Sequence, residues 1–495
     1  MNYTFAIHRT VFYFLGAIIF FSCSKSESDN SNKTEDKMLE KIKLNVLPVI
    51  PQKWMGLGYN QYPIPRKNDG SNDVEWKIND WNLTIQRIEQ IKPSLVRMPV
   101  YRQWFDKDGS MKNYQWDSPE MKSFFRFMDY YQSKGIGIKT GFWNESHNFS
   151  SMPEYYKSSG ANSFAQLQID FLNYLIKEKK YTNIEWYTPT NEPKGSGISF
   201  DIWSTAIRNL FDALKENGLP TNILTGSDSW DDWTPLAAQH NSNELSSYEQ
   251  HYYINQDISF LIEGKLEDEF KKIVSSIKQH DASNKPIFLG EIGFAASNGG
   301  VIDYWYKIAP IPELNPTSSS YGFYAIDYVI QMANSGISSG LAWSLDGFDM
   351  EKESGMWQNI DKNNNTRLRP WYYAWSTLSR IMPKGGEIYP LRASGNKIRG
   401  LAYCLDKGNN NYNWTFVIIN YENEDVEVEL NIPNYSGSEF IRYNYSKGTT
   451  GDGQLLRLPS FKENIESIHK GFTIKVPKQG TLLLSNVESE PVRKL

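Results

Sequence analysis

From Trp54 onward the chain alternates between two patterns: a short, nearly continuous apolar run, then a longer segment with apolar residues three and four apart. The first suits a strand covered on both faces of a parallel sheet, and the second marks one face of a helix. Eight such runs predict strands at Trp54–Asn60, Leu95–Tyr101, Gly137–Trp143, Ile184–Asn191, Asn222–Asp228, Tyr248–Tyr253, Pro286–Gly293 and Gly340–Leu345. Helices are predicted at Asp80–Ile91, Pro119–Ser133, Phe164–Lys179, Ile202–Asn217, Leu266–Gln279, Tyr324–Ala333 and Trp371–Ile381, with the weakest helical pattern over Trp233–Ser247. Eight strand–helix units argue for an α/β fold closed into a (β/α)8 TIM barrel rather than an open sheet.

The pattern changes after Pro383-Lys384-Gly385-Gly386. Alternating runs without helices follow at Ile398–Cys404, Trp414–Tyr421, Val426–Ile432, Phe440–Tyr445, Phe472–Val476 and Thr481–Leu484, most of them separated by polar turns. They predict a C-terminal antiparallel β-sandwich over residues 384–495, behind a catalytic barrel over 41–383. The run Ile42–Val49 also alternates and is a candidate extra strand of the sandwich. Upstream, His8 and Arg9 precede the apolar run Val11–Phe21, too short for a membrane span, which Ser22-Cys23 closes. Residues 1–22 therefore read as a signal peptide and 23–40 as a polar tether. The segment resembles a bacterial lipoprotein signal, with Phe20 where Leu is more usual, and a plain secretion signal is the alternative. The acidic, serine-rich residues after Cys23 resemble the export signal of surface lipoproteins. That resemblance implies lipidation of Cys23 and an outer-membrane or cell-surface address, with membrane contact only through the anchor.

Composition narrows the class. With 495 residues, 40% hydrophobic and a net charge of −5, the chain can fill a large core and carries no basic excess that would suggest nucleic acid as a partner. The six histidines are scattered without metal-ligand spacing, and no phosphate-binding glycine loop occurs, so neither metal nor cofactor is expected. Cys404 sits in a strand-like run and reads as a buried free thiol. Aromatic content is high, with 16 Trp and 30 Tyr, as in many carbohydrate-active proteins, because aromatic faces stack on sugar rings; the alternative reading is that most of these rings belong to the core.

Barrel active sites lie at the C-terminal ends of the strands. There the fourth run ends Thr188-Pro189-Thr190-Asn191-Glu192-Pro193 and the seventh ends Leu289-Gly290-Glu291-Ile292. Retaining cleavage of a glycosidic bond needs one carboxylic acid to protonate the leaving oxygen and one carboxylate to attack, about 5–5.5 Å apart. Surroundings that separate the two pKa values keep one protonated and the other charged. Strands four and seven of an eight-stranded barrel can supply such a pair.

Thr190-Asn191-Glu192-Pro193 resembles the Asn-Glu-Pro signature of glycoside hydrolase clan A, and Gly290-Glu291 is similar to that clan's strand-seven nucleophile. The resemblance implies that Glu192 is the acid/base, Glu291 the nucleophile, and Asn191 the residue that holds the sugar 2-hydroxyl. It implies further that Arg97, in Val96-Arg97-Met98-Pro99, holds the nucleophile charged. His251 and Tyr253, two apart on strand six and hence on one side, would contact substrate and donate to the nucleophile. Trp343 would floor the sugar subsite. The barrel-plus-sandwich layout is similar to families 5, 30, 39 and 158, and the motifs do not choose among them.

Further candidates for binding are Trp143, Asn144 and Trp230, with Trp104, Trp233 and Trp357 as other possible platforms. Asp228 and Asp346 are candidates for hydrogen bonds to hydroxyls. Asn144-Glu145 lacks the following proline and reads at most as a substrate-binding loop. The expected function is a monomeric retaining β-glycoside hydrolase acting on a β-linked polysaccharide, with an endo mode and a lean toward β-glucan and, within that class, toward the β-1,3 linkage. Exo-acting glucosidase, xylosidase or mannosidase activity stays open, as does a non-catalytic surface glycan-binding lipoprotein. Tyr412, Trp414 and Tyr435 make no evident platform on the sandwich, which favours a spacer over a sugar-binding module.

Overall fold

The computed structural model describes residues 41–64, 78–143, 153–161, 163–230, 232–254, 257–294, 312–347, 355–358, 368–395, 397–430, 439–449, 456–465 and 471–488. The signal and tether with Cys23, the pair Asn144-Glu145, and Tyr435 lie outside them.

After β1 (Lys41–Val46), eight parallel strands alternate with eight main helices. The units are β2 (Gly56–Asn60) with α1 (Ile78–Ile91), β3 (Leu95–Val100) with α2 (Pro119–Ser133), β4 (Gly137–Phe142) with α3 (Phe164–Asn173), and β5 (Ile184–Thr188) with α4 (Phe200–Glu216). They continue as β6 (Thr225–Ser229) with α5 (Trp233–Asn241), β7 (Ser247–Ile254) with α6 (Lys265–His280), β8 (Ile287–Phe294) with α7 (Ser319–Ser335), and β9 (Ser339–Ala342) with α8 (Pro370–Ile381). The strands pair in the order β5-β4-β3-β2-β9-β8-β7-β6. A parallel bridge between Tyr187 and Leu224 joins the two ends of that order and closes the barrel. Every residue of β2, β3, β4 and β8 is buried, as their apolar runs require.

Helix starts follow local chemistry. Ser118, Ser163, Ser199 and Ser318 each accept a backbone N–H of the first turn they precede. Pro119 and Pro370 occupy first-turn positions where a missing N–H costs nothing. Helix α7 begins five residues earlier than its periodicity suggests, because all of Ser320–Ser335 is buried. A helix covered all round has no polar stripe to mark its extent.

Inside the barrel the side chains form layers. Met55, Leu95, Trp186, Phe288 and Leu341 make an apolar plug at the N-terminal end, and charged residues lie above it toward the mouth. A two-residue pairing of β10 (Asp346–Gly347) with β11 (Trp357–Gln358) follows β9.

The sandwich comprises β12 (Glu387–Arg392), β13 (Ile398–Asp406), β14 (Tyr412–Asn420), β15 (Val426–Leu430), β16 (Glu439–Ser446), β17 (Ser460–Asn464), β18 (Phe472–Val476) and β19 (Gly480–Ser485). The larger sheet runs β17-β16-β19-β14-β13-β12-β1, and the smaller runs β1-β15-β18. Strand β1 crosses between them. Lys41–Leu44 pair in parallel with β15, whereas Asn45 and Val46 pair antiparallel with β12. Two strands escape the sequence pattern. Pro390 argues against a central strand in β12, yet its carbonyl accepts the Leu47 N–H at 2.9 Å. Strand β17 is a polar edge, paired only with β16 among the described residues.

Between the sheets lie Leu44, Phe416, Val428, Ile474 and Leu484. Cys404 is there as a buried free thiol, pushed up to about 12 chiefly by burial. Trp414, one of the aromatics that made no evident platform, also packs in this core, stacked near Phe416. The other face of the larger sheet presents Leu401, Tyr403, Ile419, Tyr421, Tyr443 and Leu483 to the barrel's own core. Leu39–Leu495 consequently forms one compact unit. A buried clamp crosses this contact: Arg399 on β13 donates to Asp327 on α7, which also accepts from Tyr421 at 2.7 Å and Gln331 at 2.9 Å.

Candidate active site

Glu192 stands four residues past β5, at the C-terminal mouth of the barrel, with φ of +42°. Its side chain is about a third exposed, whereas that of Glu291 on β8 is nearly buried. One oxygen of each, together with a ring nitrogen of His251, lie within 4.8 Å of one another.

Strict alternation along β8 would not bring Glu291 here. Phe288 points inward into the plug, so Gly290 and Ile292 would face inward and Glu291 outward. A bulge intervenes. Leu289 pairs with Gln250 and with Gly340, but the next partners are Glu291 with His251 and Ile292 with Ala342, so β8 carries one residue more than either neighbour. The extra residue turns Glu291 into the mouth, the re-aiming for which bulges beside active sites are known. Gly290 has to be glycine, since a Cβ there would meet Glu249 Oε1 at 1.7 Å. Strand β6 does the same at Asp228, which has no partner between the Ser227–Glu249 and Ser229–Gln250 pairs and has φ of +54°.

Arg97 on β3 is the hub. Its guanidinium donates to Glu291 Oε1, to Asn191 Oδ1 at 2.6 Å, to Asn60 Oδ1 at 2.9 Å and to Asp228 Oδ2 at 3.3 Å. Burial alone would lower its pKa; the charges of Asp228, Glu291 and Glu249 outweigh that and raise it. Tyr253 donates to the other oxygen of Glu291 at 2.6 Å. Burial and the Glu291 charge push this phenol well above its ordinary range, so the proton stays on the hydroxyl.

His251 bridges two carboxyl groups, with Nδ1 2.8 Å from Glu192 Oε1 and Nε2 3.0 Å from Asp228 Oδ1. Burial disfavours its cation, but the Glu291 and Asp228 charges and the bonds to Asp228 and Glu192 prevail and raise it to about 10. Beneath lie Asp228, Lys139 and Glu249, all wholly buried. Lys139 Nζ donates to Asp228 Oδ1 at 2.8 Å and to Glu249 Oε1. Burial would raise Asp228, yet Lys139, Arg97 and His251 hold it well below the usual carboxylate range. Glu249 is pushed up to about 8 by burial and the Asp228 charge. Among the described residues its Oε2 has no hydrogen-bond partner, which makes the charged form costly.

The pattern-derived residues divide accordingly. Arg97, Asn191, Glu192, His251, Tyr253 and Glu291 meet in one network. Trp143 and Trp343 stand edge-to-face at 5.4 Å and, with Asn60, Gln61, Tyr62 and Asp346, line a small recess beside it. Trp230 is half-buried, its ring lying over Gly195 in the loop after Glu192. Four expectations fail. Asp228 is saturated by Arg97, Lys139 and His251 and has no face for a sugar hydroxyl. Trp233 is buried against Phe200 and Trp203, and Trp357 beneath Arg87, so neither offers a platform. Trp104 is buried with its ring edge toward Tyr62.

Asn60, Lys139 and Glu249 were not anticipated. Each is a polar residue inside a strand that must be buried, and such a residue requires a partner. The donor atoms of Asp228, Glu249 and His251 are close enough to share an ion. Lys139 and Arg97 already supply the positive charge there, so the set suits a salt-bridge network better than a metal.

A parallel eight-stranded barrel holding a close carboxyl pair at its C-terminal mouth is the architecture of the clan A glycoside hydrolases, and the protein is an O-glycosyl hydrolase of that clan. The family model for cellulase (glycosyl hydrolase family 5) matches residues 59–329, more than half of the chain, and the chain belongs to that family. No curated protein sequence matches it. Among solved structures it resembles the catalytic domain of GH30 xylanase C from Talaromyces cellulolyticus, with a TM-score of 0.62 and 12% identity over 90% of this chain and 99% of that one. It also resembles an α-L-arabinofuranosidase from Thermotoga maritima (TM-score 0.59, 11% identity, 91% and 100% covered). A glucosidase from Croceicoccus marinus is similar as well (TM-score 0.58, 10% identity, 90% and 99% covered). At these identities the likeness concerns the fold.

Proposed function

We propose that the protein is a retaining, endo-acting β-glycoside hydrolase of polysaccharide, with Glu192 as acid/base and Glu291 as nucleophile. The observation that carries this reading is the separation of the two carboxyl groups. The nearest oxygens lie within 4.8 Å, which favours the close retaining pair of about 5–5.5 Å over the spacing of about 6.5–9.5 Å in inverting enzymes. Roles follow from surroundings. Glu291, nearly buried and gripped by the Arg97 cation and the Tyr253 hydroxyl, is held as an aligned anion for attack on the anomeric carbon. Glu192, more open and bridged to His251, protonates the departing oxygen and then draws a proton from the water that releases the glycosyl–enzyme. Trp343 and Trp143 would stack on the ring being cleaved, and Trp230 would meet the chain beyond it.

A β-glucan is the substrate we favour, because the matching family model is named for cellulase. Incubation with a panel of β-1,3- and β-1,4-glucans, xylan and mannan, with product sizes followed over time, tests linkage and mode together. Mixed oligosaccharides at early times support endo cleavage, and release of single sugars alone refutes it. Proton NMR of the first product tests the mechanism: a β-anomer is expected, and an α-anomer excludes double displacement. Loss of hydrolysis with retained glycan binding in Glu192→Gln separates this enzyme from a glycan-binding protein. We propose further that Cys23 is lipidated and holds the enzyme at the cell surface. Labelled palmitate should enter the wild type and not Cys23→Ala.

A further inference from the structure

We propose that Lys139, Asp228 and Glu249 are positioning residues for the acid/base, which they serve by holding His251 as the bridge that fixes Glu192, and that they thereby set the alkaline limit of the reaction. The proposal rests on the reading of Glu192 as the acid. None of the three can touch a sugar, since their side chains are fully buried. Their effect must pass through His251.

A neutral imidazole has one N–H, yet both ring nitrogens face carboxyl oxygens at hydrogen-bond distance. With Asp228 charged, Nε2–H is committed to it. A second proton then lies between Nδ1 and Glu192, and the glycosidic oxygen receives that proton as its bond to the anomeric carbon breaks and the bond to Glu291 forms. Water returns the proton in the second step. How tightly the proton is held depends on every charge around the ring. These are Glu192 after β5, Asp228 on β6, Glu249 on β7 itself and Glu291 on β8, whose Oε2 is 3.6 Å from Nδ1, with Arg97 on β3 and Lys139 on β4 as the cations.

The backbone points the same way. The Glu192 N–H donates to the Asp228 carbonyl at 3.0 Å, and both residues adopt positive φ, which non-glycine residues rarely do. Asp228 thus grips Glu192 twice, through the main chain and through His251. Strain of this kind persists only where surrounding contacts enforce it, and Lys139 supplies one of those contacts.

The test compares kcat/KM against pH for phenyl and 2,4-dinitrophenyl β-glycosides of the sugar selected by the panel. Only the phenyl leaving group needs the acid's proton, so only its profile carries the alkaline limb. Lys139→Met leaves an unbalanced negative charge below His251 and should move that limb up by about one pH unit. Glu249→Gln removes a carboxyl that gains charge as pH rises and should move it down. Opposite shifts are beyond a packing defect. Unmoved limbs, or shifts in one direction, overturn the proposal. Glu249→Gln is near-isosteric, so it decides the matter alone if Lys139→Met does not fold. In Glu192→Gln, phenyl glycoside hydrolysis should collapse while the dinitrophenyl substrate is still cleaved. If hydrolysis persists at the wild-type rate, the reading of Glu192 is wrong and the proposal falls with it; if it collapses and the limbs stay put, only the positioning role is refuted.

Discussion

Arg97→Lys keeps a positive charge beneath the two glutamates and removes the fork that carries it. The guanidinium joins four acceptors from separate parts of the barrel: Asn60 at the end of β2, Asn191 after β5, Asp228 on β6 and Glu291 on β8. A lysine ammonium is a point charge on a flexible stem and cannot span them. Asp228 keeps Lys139 and His251, and Glu291 keeps Tyr253. The Oδ1 atoms of Asn60 and Asn191 each lose the guanidinium donor, although Asn60 keeps its Nδ2 bond to the Gly290 carbonyl. Two buried acceptors left short of a donor, at about 1–3 kcal/mol each, predict a loss of about 2–6 kcal/mol. For a unit this large, about 2 °C per kcal/mol gives a Tm lower by roughly 4–12 °C. Activity should fall further than stability implies. Misplacing a catalytic group by about 1 Å costs on the order of 100-fold, and both Glu291 and its neighbour Asn191 lose a restraint. Circular dichroism melts and kcat/KM on the best substrate measure the two effects. A variant within about 1 °C and fivefold of wild type would refute the view that Arg97 organises the site by geometry as well as charge.

Tyr253→Phe removes one hydrogen bond to a charged group, about 1.5–3 kcal/mol, so Tm should fall by roughly 3–6 °C, and kcat by roughly 10- to 150-fold if that bond is what aligns Glu291 for attack. Stability should decline as pH rises through the neutral range. The folded protein holds a proton on Glu249 between its ordinary 4.5 and about 8, and on His251 between 6.5 and about 10, where the unfolded chain has released it. The His251 contribution is fully present below 6.5 and lost through 10, and Glu249→Gln should abolish the lower decline in a Tm series from pH 4 to 10. Arg399→Met strands the buried Asp327 carboxylate at the barrel–sandwich contact and should cost about 3–5 kcal/mol. Replacing Asp327 by Leu in the same variant should restore most of that, which denaturant titration would show.

Much of this was legible in the chain. The eight apolar runs are strands because a parallel barrel strand is buried on both sides, and that requirement writes itself into sequence without reference to neighbours. The candidate pair and Arg97, His251 and Tyr253 could be picked out because the short motifs that hold them, on predicted strands or just past their ends, resemble those of clan A. Edges and interfaces were harder to see. Helix α7 shows no stripe because the sandwich covers its outer side, and β17 shows no apolar face because it is an exposed edge.

The alternation of strand and helix, the change to antiparallel strands after Pro383, and the residue types available at the barrel mouth are all written in the chain. The direction in which those residues point is set by packing between strands. A period of two assigns Glu291 to the outside of β8, and it faces inward because neighbouring strands with fixed register leave one residue of β8 unpaired. Lys139, Asp228 and Glu249 likewise appear unrelated along the chain. Closure of the barrel buries them together, and in so low a dielectric the Lys139 and Asp228 charges are tolerable only because each has the other, while Glu249 tends to keep its proton.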